Sequence, residues 1–222
     1  MSSQREIWQE EHLKESTFTR IHSGKPSQPV IDFAQFLKDS GLVLNETKVL
    51  DIGCGKGRNT LYLASLGFQA LGVDFIEEAV RVARVRVEQT QNSAQFEVVD
   101  LTKGWPYPDA SFQAVIDCNA TVDIPNPGRT MVVNEAYRVL SDGGYYLFYG
   151  VSYDSTKDML PGPEPHSGYF PKTGKFEKRY TKDELMEAYK RFRVVSLEEI
   201  QGSDTIEGQV YTYPLWVAKF QK

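Results

Sequence analysis

Between Val49 and Phe75 the chain reads VLDIGCGKGRNTLYLASLGFQALGVDF, and the residues there that could do chemistry are three glycines and two acids. Gly53, Gly55 and Gly57 alternate in the run GCGKG, directly after the apolar stretch that carries Asp51. A turn without Cβ atoms lets a ligand lie against the main chain, and the free N–H groups of a following helix point toward it. The spacing is G-x-G-x-G, whereas the dinucleotide fingerprint is G-x-G-x-x-G, so the loop alone also fits a bare strand-to-helix turn. Asp74 stands 21 positions after Gly53, close to the ~20 at which a ribose-binding carboxylate follows such a loop. An ionised carboxylate accepts from two vicinal hydroxyls at once. Asp100 closes the next apolar run, QFEVVD, in the same way. Three acids in register, each at the end of a strand, would line one rim of a sheet, where open α/β sheets bind ligands.

The elements that must hold these residues are readable as alternating strands and helices. Short apolar runs at Lys48–Gly53, Gln69–Asp74, Gln95–Asp100, Phe112–Cys118 and Tyr145–Val151 read as buried strands. Between them RNTLYLASLG, IEEAVRVARVRVEQ and GRTMVVNEAYRVL carry apolar side chains at helical spacing, with Gly67 and Gly143–Gly144 as expected stops. Such alternation implies a mostly parallel sheet covered on both faces. Residues 1–42 read as two helical segments joined at HSGKPSQP, and 48–151 as the core. The segment 152–180, rich in Pro, Gly and charge, reads as a lid or binding loop. Thr181 with Glu184 then forms a capping box opening a helix, and FRVVSLEEI with GQVYTYPLWVAKF closes the chain as an antiparallel edge pair.

Composition narrows the function classes. The 222 residues suit a single domain. A formal net charge of −5 supplies no basic surface for a nucleic-acid partner. Two cysteines, Cys54 and Cys118, fit neither a disulfide scaffold nor a metal pattern, and the histidines are scattered, so no metal is expected. The charged N-terminus and the lack of a long apolar run point to a cytoplasmic protein without a membrane span. Monomer and homodimer both remain open.

The motifs VLDIGCGKGRNTLYLASLG…VDF, VVDLTKGWPYPDASFQAVID and RVLSDGGYYLFYG, in that order and spacing, resemble those of class I S-adenosylmethionine-dependent methyltransferases. The resemblance implies a Rossmann-like, mostly parallel seven-stranded sheet and S-adenosylmethionine as cofactor, with S-adenosylhomocysteine as product. It implies that Asp51 and the loop Gly53, Cys54, Gly55 and Gly57, with Arg58 and Asn59, hold the methionine part. Asp74 would take the ribose hydroxyls, Phe75 or Ile76 would pack on adenine, Asp100 with Leu101 would read its edge, and Asp117–Cys118 would border the sulfonium. GCGKGRNTLYLASLGF and the early helix with Trp8 are similar to the tellurite-resistance and thiopurine branch, whose acceptors are small molecules.

The methyl acceptor leaves a fainter trace. A thiolate or other soft nucleophile needs only positioning, whereas an alcohol or phenol must lose a proton to a base. His166, Arg179 and Tyr149 are the expected acceptor-side residues, each with a plainer reading as loop, surface or core. Arg20 and His22 could reach the cofactor carboxylate if the N-terminus folds over it, and His12 is expected at the surface. Other readings are methylation of a macromolecule, a nucleotide-binding dehydrogenase, and a non-catalytic cofactor-binding protein of the same fold.

Overall fold

The computed structural model describes residues 3–13, 24–154, 158–206 and 209–222. Five strands form a parallel sheet: β1 (Lys48–Ile52), β2 (Gln69–Asp74), β3 (Gln95–Val98), β4 (Phe112–Cys118) and β5 (Leu140–Val151). A long antiparallel hairpin, β9 (Arg193–Ile206) and β10 (Gln209–Gln221), pairs with the β5 edge. The order across the sheet is β3-β2-β1-β4-β5-β10-β9. β1 therefore lies between β2 and β4, the place where the strand order reverses and where α/β sheets open a crevice at their carboxyl ends.

Strict alternation divides the strands between two cores. In β4, Val115 packs on one face while Ala114 and Ile116 pack on the other. Helices α2 (Gln28–Asp39), α3 (Arg58–Ser65) and α4 (Glu77–Thr90) cover the second of these faces, through Phe33, Leu63 and Val80 among others. Helix α5 (Gly128–Val139) and α6 (Lys182–Ala188) cover the first, through Val132, Ala136 and Leu185. The predicted capping box is present: the Glu184 amide donates to Thr181 Oγ1 at 3.3 Å, and the Thr181 amide donates to Glu184 Oε2 at 3.0 Å. A cap of this kind is worth ~1 kcal/mol.

Three local expectations are corrected. Gly143–Gly144 do not stop a helix; α5 ends at Val139, and the glycines lie inside β5 at an irregularity of its pairing with β4. Asp100 is not the last residue of its strand, because β3 ends at Val98 and Asp100 sits in the following turn. The segment 152–180 is not an unstructured loop, since its described part folds into a three-stranded antiparallel sheet. Its strands are β6 (Leu160–Pro161), β7 (Ser167–Tyr169) and β8 (Phe176–Lys178). Strands of two and three residues are too short to show a period, which is why the sequence reads as irregular there.

The N-terminal helix α1 (Gln4–Leu13) buries none of its residues fully, yet it is fixed across the sheet's rim. Gln4 donates to Gly174 O at 2.8 Å and accepts from Phe176 N at 2.9 Å, imitating a strand partner for β8. Lys175 reaches Glu11 at 3.0 Å and lies 4.4 Å from the Trp8 ring centre. The small sheet thus holds α1 in place. Arg20 and His22 lie outside the described residues.

Candidate active site

At the carboxyl ends of β1 to β4, beneath α1, lies a cavity of ≈ 340 Å³, within the ~300–1,000 Å³ of small-ligand pockets. The glycine loop forms part of its wall, and its glycines have different duties. Gly53 has φ +64°, and a Cβ there would stand 2.5 Å from the Ala120 Cβ, so the β1 and β4 loops touch only because it is bare. Gly57 has φ +81°, and its missing Cβ is replaced by the Phe96 ring, which a side chain would meet at 2.5 Å. Only at Gly55 does the missing side chain leave room, with His12 Cε1 3.8 Å from the added atom's position. The loop is held from behind by Cys54 N donating to Val73 O at 2.9 Å and Arg86 donating to Lys56 O at 3.0 Å.

Asp74 is buried at the end of β2 with each oxygen already engaged by one amide. Gly55 N donates to Oδ2 and Ile76 N to Oδ1, both at 2.9 Å. A carboxylate has about four lone-pair sites, so two remain for a ligand. Burial raises the Asp74 carboxyl above its usual range, while these amides and nearby His12 pull the other way. Phe75 and Ile76 follow it along the cavity wall. At the β3 end, Asp100 accepts from Thr102 N at 3.1 Å and Oγ1 at 2.6 Å, and Arg5 and Lys103 stand at 3.7 and 3.4 Å. Trp105 Nε1 donates to Leu101 O at 3.0 Å and fixes the turn that brings Leu101 and Thr102 to the cavity.

Most of the predicted cofactor residues come together here. Gly53, Cys54, Gly55, Arg58, Asn59 and Asp74 line the cavity, as do Phe75, Ile76, Asp100, Leu101 and Cys118. Arg58 and Asn59 also hold the chain before α2: Arg58 donates to Ser27 Oγ at 2.8 Å, and Asn59 Oδ1 accepts from Ser27 N at 2.9 Å. Asp51, Gly57 and Asp117 stand behind the wall. Asp51 is buried against Thr60 Oγ1 at 2.5 Å, and burial pushes its carboxyl up to about 7. Asp117 accepts from Ala120 N and Thr121 N at 3.0 and 3.1 Å, from the Thr121 hydroxyl, and from Tyr146 OH at 2.9 Å. That network shapes the turn after β4.

The expected acceptor residues are not brought to the cavity. His166 Nδ1 lies 3.0 Å from Glu184 Oε2 and its ring 4.0 Å from that of Tyr153. Arg179 is engaged by Glu177 at 2.8 Å, Asp158 at 3.1 Å and Asp154 at 3.6 Å. Tyr149 contributes its backbone carbonyl, which accepts from Asn119 N at 2.8 Å.

Other residues take those places. Gln4, Arg5, Trp8 and His12 reach the cavity from α1, and Asn119, Ala120, Asp123, Ile124 and Pro125 reach it from the β4 turn. His12 is not a surface residue: it is half-buried, and its Nδ1 is a buried atom with no hydrogen-bond partner. Burial lowers its imidazole below the usual range, against the pull of Asp74. The sequence run that could have disclosed the β4 turn is DCNATVDIPNPGR, which follows a strand and carries an acid.

No group of His, Cys, Asp and Glu suited to a metal ion occurs among the described residues. Among them, too, no helix is long and apolar enough to cross a membrane.

Residues 49–144 match a family model described as a methyltransferase domain. The ubiquinone biosynthesis O-methyltransferase of Thiobacillus denitrificans is 29% identical over 122 residues, a match that covers 55% of this chain and 52% of that one. The chain spans about half the length of the curated relatives it matches. Among solved structures, one concerned with conversion of a disulfide bond into a thioacetal group during echinomycin biosynthesis has a TM-score of 0.74 at 22% identity. It covers 98% of this chain and 92% of its own. The 1,6-didemethyltoxoflavin-N1-methyltransferase of Burkholderia thailandensis, solved with 1,6-didemethyltoxoflavin and S-adenosylhomocysteine, has a TM-score of 0.72 at 13% identity. It covers 100% of this chain and 91% of its own. At these identities the solved structures share the fold.

Proposed function

We propose that the chain is a class I S-adenosylmethionine-dependent methyltransferase that transfers a methyl group from S-adenosylmethionine to a small-molecule acceptor, a reading supported by the methyltransferase-domain match and the methyltransferase relatives. The observation that carries this reading is Asp74. Its buried carboxylate accepts from the Gly55 and Ile76 amides, and the lone-pair capacity that remains suits the vicinal hydroxyls of a ribose. The bare position at Gly55 leaves space for the methionine part, and Phe75 and Leu101 offer apolar surface for the adenine.

The cofactor supplies an electrophilic methyl carbon on a sulfonium. The chain's part is to hold the acceptor in line with that carbon, at ~3–3.5 Å, and to exclude water. A small acceptor suits the site because α1 lies over it, held by Gln4 and Lys175 from the small sheet. Arg58-Asn59 after the loop and the α1 cover favour the tellurite-resistance and thiopurine-like branch.

Calorimetric titration with S-adenosylhomocysteine and with NAD tests the reading. Binding of the first at micromolar Kd, about −8 kcal/mol, is expected, with none of the second. Tight NAD binding without S-adenosylhomocysteine binding would overturn it.

A further inference from the structure

Asp123 lies in a single turn of 3-10 helix, Thr121–Asp123, that follows β4. Asp123 lines the cavity, and no hydrogen bond to its carboxylate is found among the described residues. The acids elsewhere along the site differ in this respect. Asp51, Asp74, Asp100 and Asp117 each accept from two or more groups or from a hydroxyl at 2.5 Å. A partly buried carboxylate at a cavity wall without a protein donor is open to a donor from a ligand.

A second acceptor belongs to the same cavity. The side-chain oxygen of Asn119 is a buried atom without a partner, and Asn119 lines the same cavity. Its backbone is held at φ +62° by its amide's bond to Tyr149 O. The turn that carries both residues is shaped by Asp117, so their placement is built into the fold. Trp8, Ile124 and Pro125 line this cavity too. The cavity therefore offers apolar walls and oxygen acceptors, which suits an apolar molecule bearing hydroxyl groups.

Resting on the methyl-transfer reading above, we propose that the acceptor is a small aromatic hydroxyl compound and that Asp123 takes its proton. In balance, the acceptor oxygen bonds to the methyl carbon, and the carbon–sulfur pair stays with sulfur. The hydroxyl proton moves to the Asp123 carboxylate and leaves to water with the product. The charged groups around Asp123 fit this task. Burial and then Glu177 raise its carboxyl well above the usual range; Lys175 opposes them and Asp117 adds to the rise. Lys175 is itself paired with Glu11, and Glu177 with Arg179. A base of raised basicity is better matched to a phenol proton than an ordinary aspartate.

The test uses the full chain with methyl-labelled S-adenosylmethionine and three probes: catechol, 4-hydroxybenzoate and thiophenol. In Asp123→Asn, S-adenosylhomocysteine affinity should stay within about twofold. Transfer to a hydroxyl probe should fall about a hundredfold in kcat, while any thiophenol transfer stays within about threefold, because a thiol ionises without help. Calorimetry of catechol against the S-adenosylhomocysteine complex should show binding weakened about tenfold. The wild-type kcat should level off with rising pH, and the variant's should keep climbing as the probe itself ionises. Asp123→Ala, which removes the carboxylate without placing an amide in the cavity, should match the Asn variant in kcat.

Wild-type protein that binds S-adenosylhomocysteine but methylates neither hydroxyl probe overturns the proposal. So does unchanged hydroxyl transfer in Asp123→Asn, or an equal loss with thiophenol. Failure of the wild type to bind S-adenosylhomocysteine overturns the underlying reading instead.

Discussion

The two halves of the cavity are built on different principles. On the side of β1, β2 and β3, the wall is main chain: a loop of three glycines and the amides of Gly55 and Ile76 on one carboxylate. On the side of β4 and α1, the wall is side chains from places far apart in the chain. Gln4 bonds to residues 174 and 176, and Lys175 to Glu11. Backbone geometry ties the first half to a ligand of one shape, whereas side chains let the second half change its partner without altering the fold. The first half should therefore respond to mutation by losing the cofactor, and the second by altering the acceptor.

The largest effect should come from Gly55→Val. A branched side chain would enter the space next to His12, and φ +53° strains any β-branched residue. Cofactor binding should be lost, below detection by calorimetry at a hundred micromolar-scale excess, while a folded melting transition persists at reduced temperature. Binding at wild-type affinity would show that the loop is a turn only and that the ligand lies on the other side.

Next in size is Asp74. Removing its carboxylate in Asp74→Ala should weaken S-adenosylhomocysteine binding about a hundredfold, and Asp74→Asn about tenfold, at ~1.4 kcal/mol per factor of ten. The variant would also leave the Gly55 and Ile76 amides without their acceptor, so the melting temperature must be read alongside. Because a ribose contact is remote from the reacting methyl, the cofactor KM should rise more than kcat falls. An unchanged KM would erase the distinction between the halves.

The same contrast explains what the sequence discloses. Strand β1, the GCGKG turn and Asp74 lie within 27 consecutive residues, so their geometry is local and their spacing legible. The parallel order and the edge hairpin follow from periodicity in the same way. Which residues line the cavity is another matter. Gly57 and Asp51 belong to the motif yet face away from the cavity, toward Phe96 and Thr60, because the same turn must also pack onto the sheet. His12 and Asp123 are single polar residues in ordinary surroundings; the crossing of α1 over the sheet brings in the first, and the turn that Asp117 shapes after β4 presents the second. His166 and Arg179 have side chains suited to chemistry, but neighbouring acids pair with them. Nothing local in a sequence reports a partner 170 positions away.

A smaller effect is expected where α1 meets the small sheet. Gln4→Ala removes the bonds to Gly174 and Phe176 at the start of β8, and Lys175→Met removes the pair with Glu11 and the cation beside Trp8. Partly buried contacts of these kinds are worth roughly 0.5–1.5 kcal/mol each. Each variant should raise the acceptor KM about threefold to tenfold and leave S-adenosylhomocysteine affinity within about threefold. A larger loss for the cofactor than for the acceptor would mean that α1 serves the first half instead.

The smallest effect separates the halves by the sign of their pH response. Burial pushes Asp51, behind the glycine loop, up to about 7. A carboxyl raised on folding contributes fully below its unfolded value, ~4, and its contribution is lost as pH rises through about 7. Glu184, beside the small sheet, is the reverse. Burial alone would raise it, but Lys178, the Thr181 amide and His166 together draw it down to about 2. Its contribution is complete above the unfolded value, ~4.3, and is lost as pH falls toward 2. Because the Glu184 side chain is 28% exposed and its pairs are partly screened by solvent, its share should be under ~1 kcal/mol, a melting shift of about 2–4 °C at most in a domain of this size. Melting curves between pH 3 and 8 should show Asp51→Asn gaining on the wild type as pH rises, and Glu184→Gln losing most at neutral pH and converging with it in acid. If Glu184→Gln instead tracks the wild type at pH 7, the capping box and Lys178 do not stabilise the acceptor side through charge. The contrast between the halves would then be one of packing alone.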